Sequence, residues 1–327
     1  MVNLDDNVTL LHNYIYKSID KSCFDIDKID IKNIKLENIK ITENKENFFN
    51  DLKKKAKFQF LNFNKNKNLL ILKRFSDSHT INLNISPYKN NKHASIINKK
   101  NNKDSLFSYI LSKLVLEGKT NNILVPIFNI DVSLDQIKPL IKNHESYKYY
   151  KTLIDDNKNI DLFSIQIKEN FFDSNILKNY IMENEISLKS LLFQVIHTLY
   201  VIKKEYPDFK HNFLSLDNIL VYLDNINNLK KYKFHEKIFN LDDNFIIKIF
   251  NFRKASSKII LNEDINSKDD DLLFFINELT NLKEVNLDSE TKEFIKFIKS
   301  EKKQKLENLL NNKYFNSLEI LKEKKKF

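Results

Sequence analysis

The sequence predicts an α+β protein in two parts, a smaller half built mostly of strands followed by a larger half built mostly of helices. Three observations point there. Short runs with apolar residues at alternate positions, such as Phe58-Gln-Phe-Leu-Asn-Phe63 and Thr80-Ile-Asn-Leu-Asn-Ile85, crowd the first half, and a period of two marks half-buried strands. Longer apolar stretches of helical length, such as the one around Phe193-Gln-Val-Ile-His-Thr-Leu-Tyr200, dominate the second half. No repeat and no Pro/Gly-rich linker separates the two, and 327 residues with 42% hydrophobic content can build one two-lobed domain with a modest N-terminal addition.

Taken in order, residues 1–55 read as an N-terminal extension, with a helix near Asp6 to Ser18 and an Ile-rich segment from Ile26 to Ile41. Residues 56–168 form the small part, with strands near 57–63, 67–74, 80–86, 122–130 and 161–167 and a helix near 104–116. Ile165 to Phe172 serves as the connection. Residues 169–327 form the large part, with helices at 174–183, 187–205, 269–281, 289–298 and 301–311.

Composition excludes several classes. No run of eighteen apolar residues exists and the chain opens on the acidic Met1-Val-Asn-Leu-Asp-Asp6, so neither a membrane span nor a secretory signal is expected. The lone Cys23 rules out an intrachain disulfide. His12, His79, His93, His144, His197, His211 and His235 are scattered without Cys or carboxylates at metal-ligand spacing, so no zinc site is expected. The formal charge of +10 arises from 54 bases against 44 carboxylates. Lysine runs at Lys53–Lys55, Lys302–Lys305 and Lys322–Lys326 could contact nucleic acid through counterion release. No RNA or DNA module accompanies them, and a solvated lysine surface is the simpler account.

The chemistry-bearing stretch is His211-Asn-Phe-Leu-Ser-Leu-Asp-Asn-Ile-Leu-Val221, followed by an alternating strand that runs into Asn251-Phe252-Arg253. The first resembles the protein-kinase catalytic loop H-R-D-L-x-x-x-N, and the second stands where a kinase shows Asp-Phe-Gly. With Phe193-Gln194, with Tyr206-Pro-Asp-Phe-Lys-His-Asn212 and with the insert Lys231 to Asp242, which reads as an additional hairpin, the stretch is similar to the kinase-like proteins of large nucleocytoplasmic DNA viruses. Leu114 to Ile127 and Asp271-Leu-Leu-Phe-Phe-Ile-Asn-Glu-Leu279 extend the likeness over about the C-terminal two-thirds of the chain. The resemblance implies a two-lobed protein-kinase-like fold, with a small mostly β N-lobe and a larger mostly α C-lobe.

It also implies that the chemistry is degenerate. Phe213 takes the place of the Asp that accepts the substrate proton, and Asn251 that of the Asp that ligates magnesium. Asn84, on the expected third strand, takes the place of the phosphate-gripping Lys, and its helix partner falls at Phe107 or a neighbour, so that ion pair is expected to be missing. Asn218 keeps the metal-binding Asn position, so Asn218 and Asn251 are the residues that could retain a nucleotide or metal. His211 and Asp271 read as structural residues of the loop, Asp271 receiving its backbone hydrogen bonds. Phosphate-cradling loops need glycine for close backbone approach. The chain has one glycine, Gly118, and none between Asn64 and Leu72, where such a loop is expected.

The function expected from this is a catalytically inactive kinase-like protein, a pseudokinase serving as scaffold, regulator or virion component, in the host cytoplasm or the virion interior. It would bind a protein partner and need no cofactor. One alternative is a divergent serine/threonine kinase with residual phosphotransfer, which would use ATP and magnesium. Another is a basic particle protein that contacts nucleic acid.

Overall fold

The computed structural model describes residues 58–64, 69–74, 80–87, 99–142, 145–156, 163–170, 174–223, 230–241, 243–261, 270–300 and 305–320. The expected N-terminal extension, with Cys23, lies outside them. The chain is mixed α+β and divides into two compact units. One comprises residues 1–109, 124–172 and 259–261, the other 110–123, 173–258 and 262–327.

The first unit is built on a five-stranded antiparallel sheet with strand order β1-β2-β3-β5-β4. Its strands are β1 (Phe58–Asn64), β2 (Leu69–Arg74), β3 (Thr80–Pro87), β4 (Pro126–Val132) and β5 (Phe163–Asn170). β3 and β5 pair over their whole length, with Asn84 opposite Gln166 and Asn82 opposite Lys168. Helix α1 (Lys99–Leu116) follows β3. Its first half belongs to this unit and its last residues to the other.

Two further helices, α2 (Leu134–Ile141) and α3 (Glu145–Asp156), fill the connection from β4 to β5. Neither is predicted from the sequence, although α2 begins at a full capping box. Ser133 Oγ accepts from the Gln136 N–H, and Gln136 Oε1 accepts from the Ser133 N–H at 2.9 Å. The reciprocal bonds satisfy two donors that a helix start otherwise leaves free. Tyr150 of α3, fully buried, packs edge-on against Phe163 of β5 at 5.4 Å, and burial pushes its phenol well above the usual range.

The chain's one glycine sits just past the end of α1, in the left-handed region at φ +66°. There the Lys119 N–H reaches back to the Leu114 carbonyl at 2.9 Å. A left-handed residue at a helix C-terminus favours glycine because a Cβ is strained in that conformation.

The second unit is organised around α5 (Leu188–Glu205), whose Leu191, Leu192, Phe193, Val195, Ile196 and Leu199 are all buried. The helix stops at Tyr206, the residue before Pro207, which proline biases away from helical geometry. β6 (Ser174–Ile176) and α4 (Leu177–Glu183) precede it. Two three-stranded sheets belong to this unit. The first, β10-β7-β6, joins β7 (Ile219–Leu223) and β10 (Phe245–Ile249) in antiparallel register with Val221 opposite Ile247.

The second sheet, β11-β9-β8, contains the insert predicted as an extra hairpin. β8 (Lys230–Phe234) and β9 (Lys237–Leu241) turn at His235-Glu236, and β11 (Glu319–Ile320) adds to β9. Phe193 is the anchor beneath it, touching Phe239 at 4.8 Å, Phe315 at 5.2 Å and Tyr232 at 5.5 Å. Helices α6 (Asp271–Asn281), α7 (Ser289–Ser300) and α8 (Leu306–Leu310) complete the unit. Asp270 caps α6 by accepting from the Leu272 and Leu273 N–H groups at 2.9 and 3.2 Å.

Candidate functional site

Four of the residues singled out from the sequence, His211, Asn218, Asn251 and Asp271, come together in one hydrogen-bonded network of the second unit, and Phe213 stands at its rim. Asp271, buried in the first turn of α6, accepts from the backbone N–H of His211 at 2.7 Å and of Asn212 at 2.8 Å. A buried carboxylate is expensive unless hydrogen-bonded, and these two charge-assisted bonds fix where loop 211–218 leaves the core. His211, also buried, donates through Nε2 to the Phe250 carbonyl at 3.1 Å and lies 5.2 Å from the Phe252 ring. It is bonded and packed as a loop-holding residue.

Asn212 stitches the loop to the segment after β10. It adopts φ +60°, and its Nδ2 donates to the Lys254 carbonyl at 2.9 Å and to Ser256 Oγ at 2.7 Å. Lys210 and Ser256 exchange both backbone hydrogen bonds at 2.9 Å. Asp208 adds a third tie, accepting from Ser257 Oγ at 2.8 Å and from the Lys258 N–H.

Asn218 and Asn251 meet directly. Asn218 Nδ2 donates to the Phe213 carbonyl at 2.9 Å and to Ser215 Oγ at 3.0 Å, which leaves its Oδ1 facing Asn251. Asn251, at φ +63°, answers with Nδ2, 2.7 Å from Asn218 Oδ1. The direction of that bond follows from the network: with the Asn218 amide hydrogens committed, Asn251 must present its donor. Among the described residues no donor reaches Asn251 Oδ1.

A divalent ion between these positions would need oxygens from both. Here one side offers an N–H₂ group, and neither side carries charge. Hard divalent cations take oxygen ligands, carboxylates foremost, so the arrangement does not fit magnesium. Phe213 cannot accept a proton. The residue is 37% exposed, and its ring lies 5.7 Å from that of Phe274 of α6 and is capped by the Lys254 ammonium 3.8 Å from its centroid. The loop is thus held on both sides by hydrogen bonds, from Asp271 before Phe213 and from the Asn218 amide after it.

The first unit holds a buried ion pair between helix and sheet, on residues other than Asn84 and Phe107. Lys168 of β5 donates to Asp104 of α1 at 2.8 Å, and both side chains are buried. Asn84 lies on β3, the neighbouring strand, and Phe107 is a fully buried core residue one turn after Asp104. No local pattern announces this pair, because Lys168 interrupts an otherwise ordinary strand and its partner is sixty-four residues away.

Gln194 is the other residue whose role only the structure reveals. It is fully buried in α5, and its Oε1 accepts from Asn122 Nδ2 at 2.8 Å, the Ile247 N–H at 3.0 Å and the Tyr232 hydroxyl at 3.3 Å. Asn122 Nδ2 also donates to the Ile247 carbonyl at 3.0 Å. One side chain thus ties α5 to β10, which delivers Asn251, and to the inserted hairpin.

No known protein family matches the chain. It is similar to an uncharacterized protein of Acanthamoeba polyphaga mimivirus, 32% identical over 168 residues, half of this chain and 20% of that protein. The chain therefore spans about a fifth of the length of the viral relative it matches. No described helix is long and apolar enough to cross a membrane.

Proposed function

We propose that this chain is a kinase-shaped protein that does not transfer phosphate and serves as a scaffold, regulator or particle component through a protein partner. The observation that carries this reading is the Asn251-to-Asn218 amide hydrogen bond of 2.7 Å, closed where a kinase would hold a cation. Phe213 beside it removes the proton acceptor, a loss that by itself costs roughly 10²–10⁴ in rate. The element order supports the kinase-like part of the reading: a five-stranded antiparallel sheet with a helix after its third strand, then a helical unit whose loop 211–218 is anchored on a buried Asp271. The mimivirus relative supports a viral setting, in host cytoplasm or particle.

A thermal-shift titration with ATP, with and without magnesium or manganese, tests it, since a ligand that binds the native state raises the melting point. No shift at millimolar nucleotide is the expected result. A metal-dependent rise, followed by phosphotransfer that Asn218→Ala or Asn251→Ala abolishes, would overturn it.

One observation favours a second reading, a divergent kinase with residual phosphotransfer. Lys168 is a buried lysine paired with a helix carboxylate, the combination a kinase uses to hold nucleotide phosphates, one strand away from its usual place. That reading predicts a nucleotide-dependent shift that Lys168→Met removes.

A further inference from the structure

We infer that the rim of loop 211–218, made of Phe213, Phe274, Arg253 and Lys254, is a docking face for an acidic peptide segment of a partner protein. The inference rests on the scaffold reading only in that a scaffold needs a partner, and it names the chemistry of that partner. Three observations lead to it.

The first is the chain's choice of residue. A phenyl group at 213 is not needed to fill the core, since 37% of the residue remains in solvent, yet its ring is held on two sides by Phe274 and the Lys254 ammonium. The second is preorganisation. Asn212 bonds the carbonyl of Lys254 itself, Lys210 and Ser256 exchange backbone bonds, and Asp271 clamps the residues before Phe213. The apolar patch and the cation are thus fixed relative to each other before anything binds, which lowers the ordering cost of association.

The third is charge. Residues 252–258, Phe-Arg-Lys-Ala-Ser-Ser-Lys, carry three cations and no acid, and Arg253 and Lys254 are exposed. Among the described residues neither forms an ion pair. Asp208, the acid that bonds into this segment, accepts from Ser257 Oγ and the Lys258 N–H. An apolar patch flanked by unneutralised cations complements a segment with carboxylates on either side of one aliphatic or aromatic side chain.

A single nucleic-acid strand also uses cations and aromatics, but it needs an open ring face on which a base can stack. The Lys254 ammonium already covers one face of Phe213 and Phe274 packs against the ring. That favours carboxylates, which Lys254 can take with its remaining N–H groups, over bases.

The test uses the full chain and two fluorescent probes measured by anisotropy: a labelled peptide of glutamates around a central Leu-Phe pair, and an oligothymidylate. The expected result is saturable binding of the peptide, weakened about tenfold or more by Lys254→Glu and by Arg253→Glu. Phe213→Ser should weaken it while leaving the residual salt-sensitive attraction. Lys283→Glu, the same charge change on an exposed lysine beyond the far end of α6, should leave binding within about twofold. Unchanged melting points keep loss of fold out of the comparison.

Equal loss in Lys283→Glu would overturn the face in favour of bulk charge, and absence of peptide binding would overturn it outright. Tighter binding of the oligothymidylate, lost in the same variants, would replace the peptide by nucleic acid. Phosphotransfer by the purified protein would remove the scaffold reading without touching these outcomes.

Discussion

Lys168 of β5 and Asp104 of α1 form a 2.8 Å ion pair with 11% and 5% of their side chains exposed. Two charges taken out of water repay their desolvation only through close pairing and well-placed hydrogen bonds. Removing one partner leaves the other charge buried, so Lys168→Met or Asp104→Leu should each cost about 3–5 kcal/mol, whereas the double replacement by apolar residues of similar size should recover most of the loss. Denaturant titration of the three variants measures the coupling. Additive losses would mean that the two charges do not depend on each other.

Asp271 predicts a second effect of comparable size. Hydrogen bonds to a charged group contribute about 1.5–3 kcal/mol each, and Asp271 accepts two from the backbone of His211 and Asn212. Asp271→Ala should lower stability by about 3 kcal/mol and raise hydrogen exchange at the amides of His211 and Asn212 ahead of those in α5. Uniformly faster exchange across the second unit would show that the loop is not a separately anchored piece.

His197 supplies a pH dependence. Its ring is buried in α5, Nε2 donates to the Lys233 carbonyl at 3.2 Å, and no described group reaches Nδ1. The rings of Phe193 and Tyr232 are packed against it, and among the described residues no carboxylate compensates the charged form. Burial accordingly lowers its pKa from 6.5 to about 4, against a smaller upward pull from that carbonyl. The unfolded chain therefore takes up a proton below pH 6.5 that the folded chain refuses. Stability from this group is full above pH 6.5 and falls as the pH drops toward 4, by about 2 kcal/mol between pH 6.5 and pH 5. Denaturation of wild type and His197→Gln at pH 7 and pH 5 isolates the contribution, which the variant should lack.

How much of this could be read from sequence depends on the range of the signal. β1, β2, β3, β5, α5, α6 and α7 fall within a few residues of their predicted spans, because alternation and helical periodicity are local. The inserted hairpin also formed where an alternating run flanked His235. The helices α2 and α3 are not predicted, although the Ser133-Leu-Asp-Gln136 capping signature marks the first of them. The amide pair of Asn218 and Asn251 joins two positions picked out in the sequence, but the direction of its hydrogen bond depends on Ser215 and the Phe213 carbonyl. Lys168 with Asp104, and Gln194 with Asn122 and Ile247, are contacts between distant elements whose partners no local window contains.

Gln194 turns that last point into an experiment. Its Oε1 satisfies a side-chain amide, a backbone N–H and a phenol at once. Gln194→Leu keeps the volume approximately and takes away the acceptor shared by the Ile247 N–H, the Asn122 amide and the Tyr232 hydroxyl, at about 1–3 kcal/mol for a group that cannot find water. A loss of about 3 kcal/mol or more by chemical denaturation is expected. Phe239→Leu, an apolar change within the same hairpin, should cost less, about 1–2 kcal/mol. A larger loss in Phe239→Leu would assign the hairpin's attachment to packing alone.

The sharpest test of the proposed loss of chemistry in loop 211–218 is to reverse the polarity of one atom pair. Asn251→Asp replaces an N–H₂ donor by a carboxylate oxygen 2.7 Å from Asn218 Oδ1, placing two acceptors in contact. Asn218 cannot turn its amide to relieve them without giving up its bonds to the Phe213 carbonyl and Ser215 Oγ. The variant should therefore be less stable than wild type by about 1–3 kcal/mol in the presence of a chelator. A cation placed between the two oxygens would remove the repulsion, so millimolar magnesium or calcium should raise the melting point of Asn251→Asp while leaving wild type unchanged. If the variant is as stable as wild type and blind to metal, the 218–251 contact is incidental, and the amide bond no longer supports the proposed loss of magnesium binding.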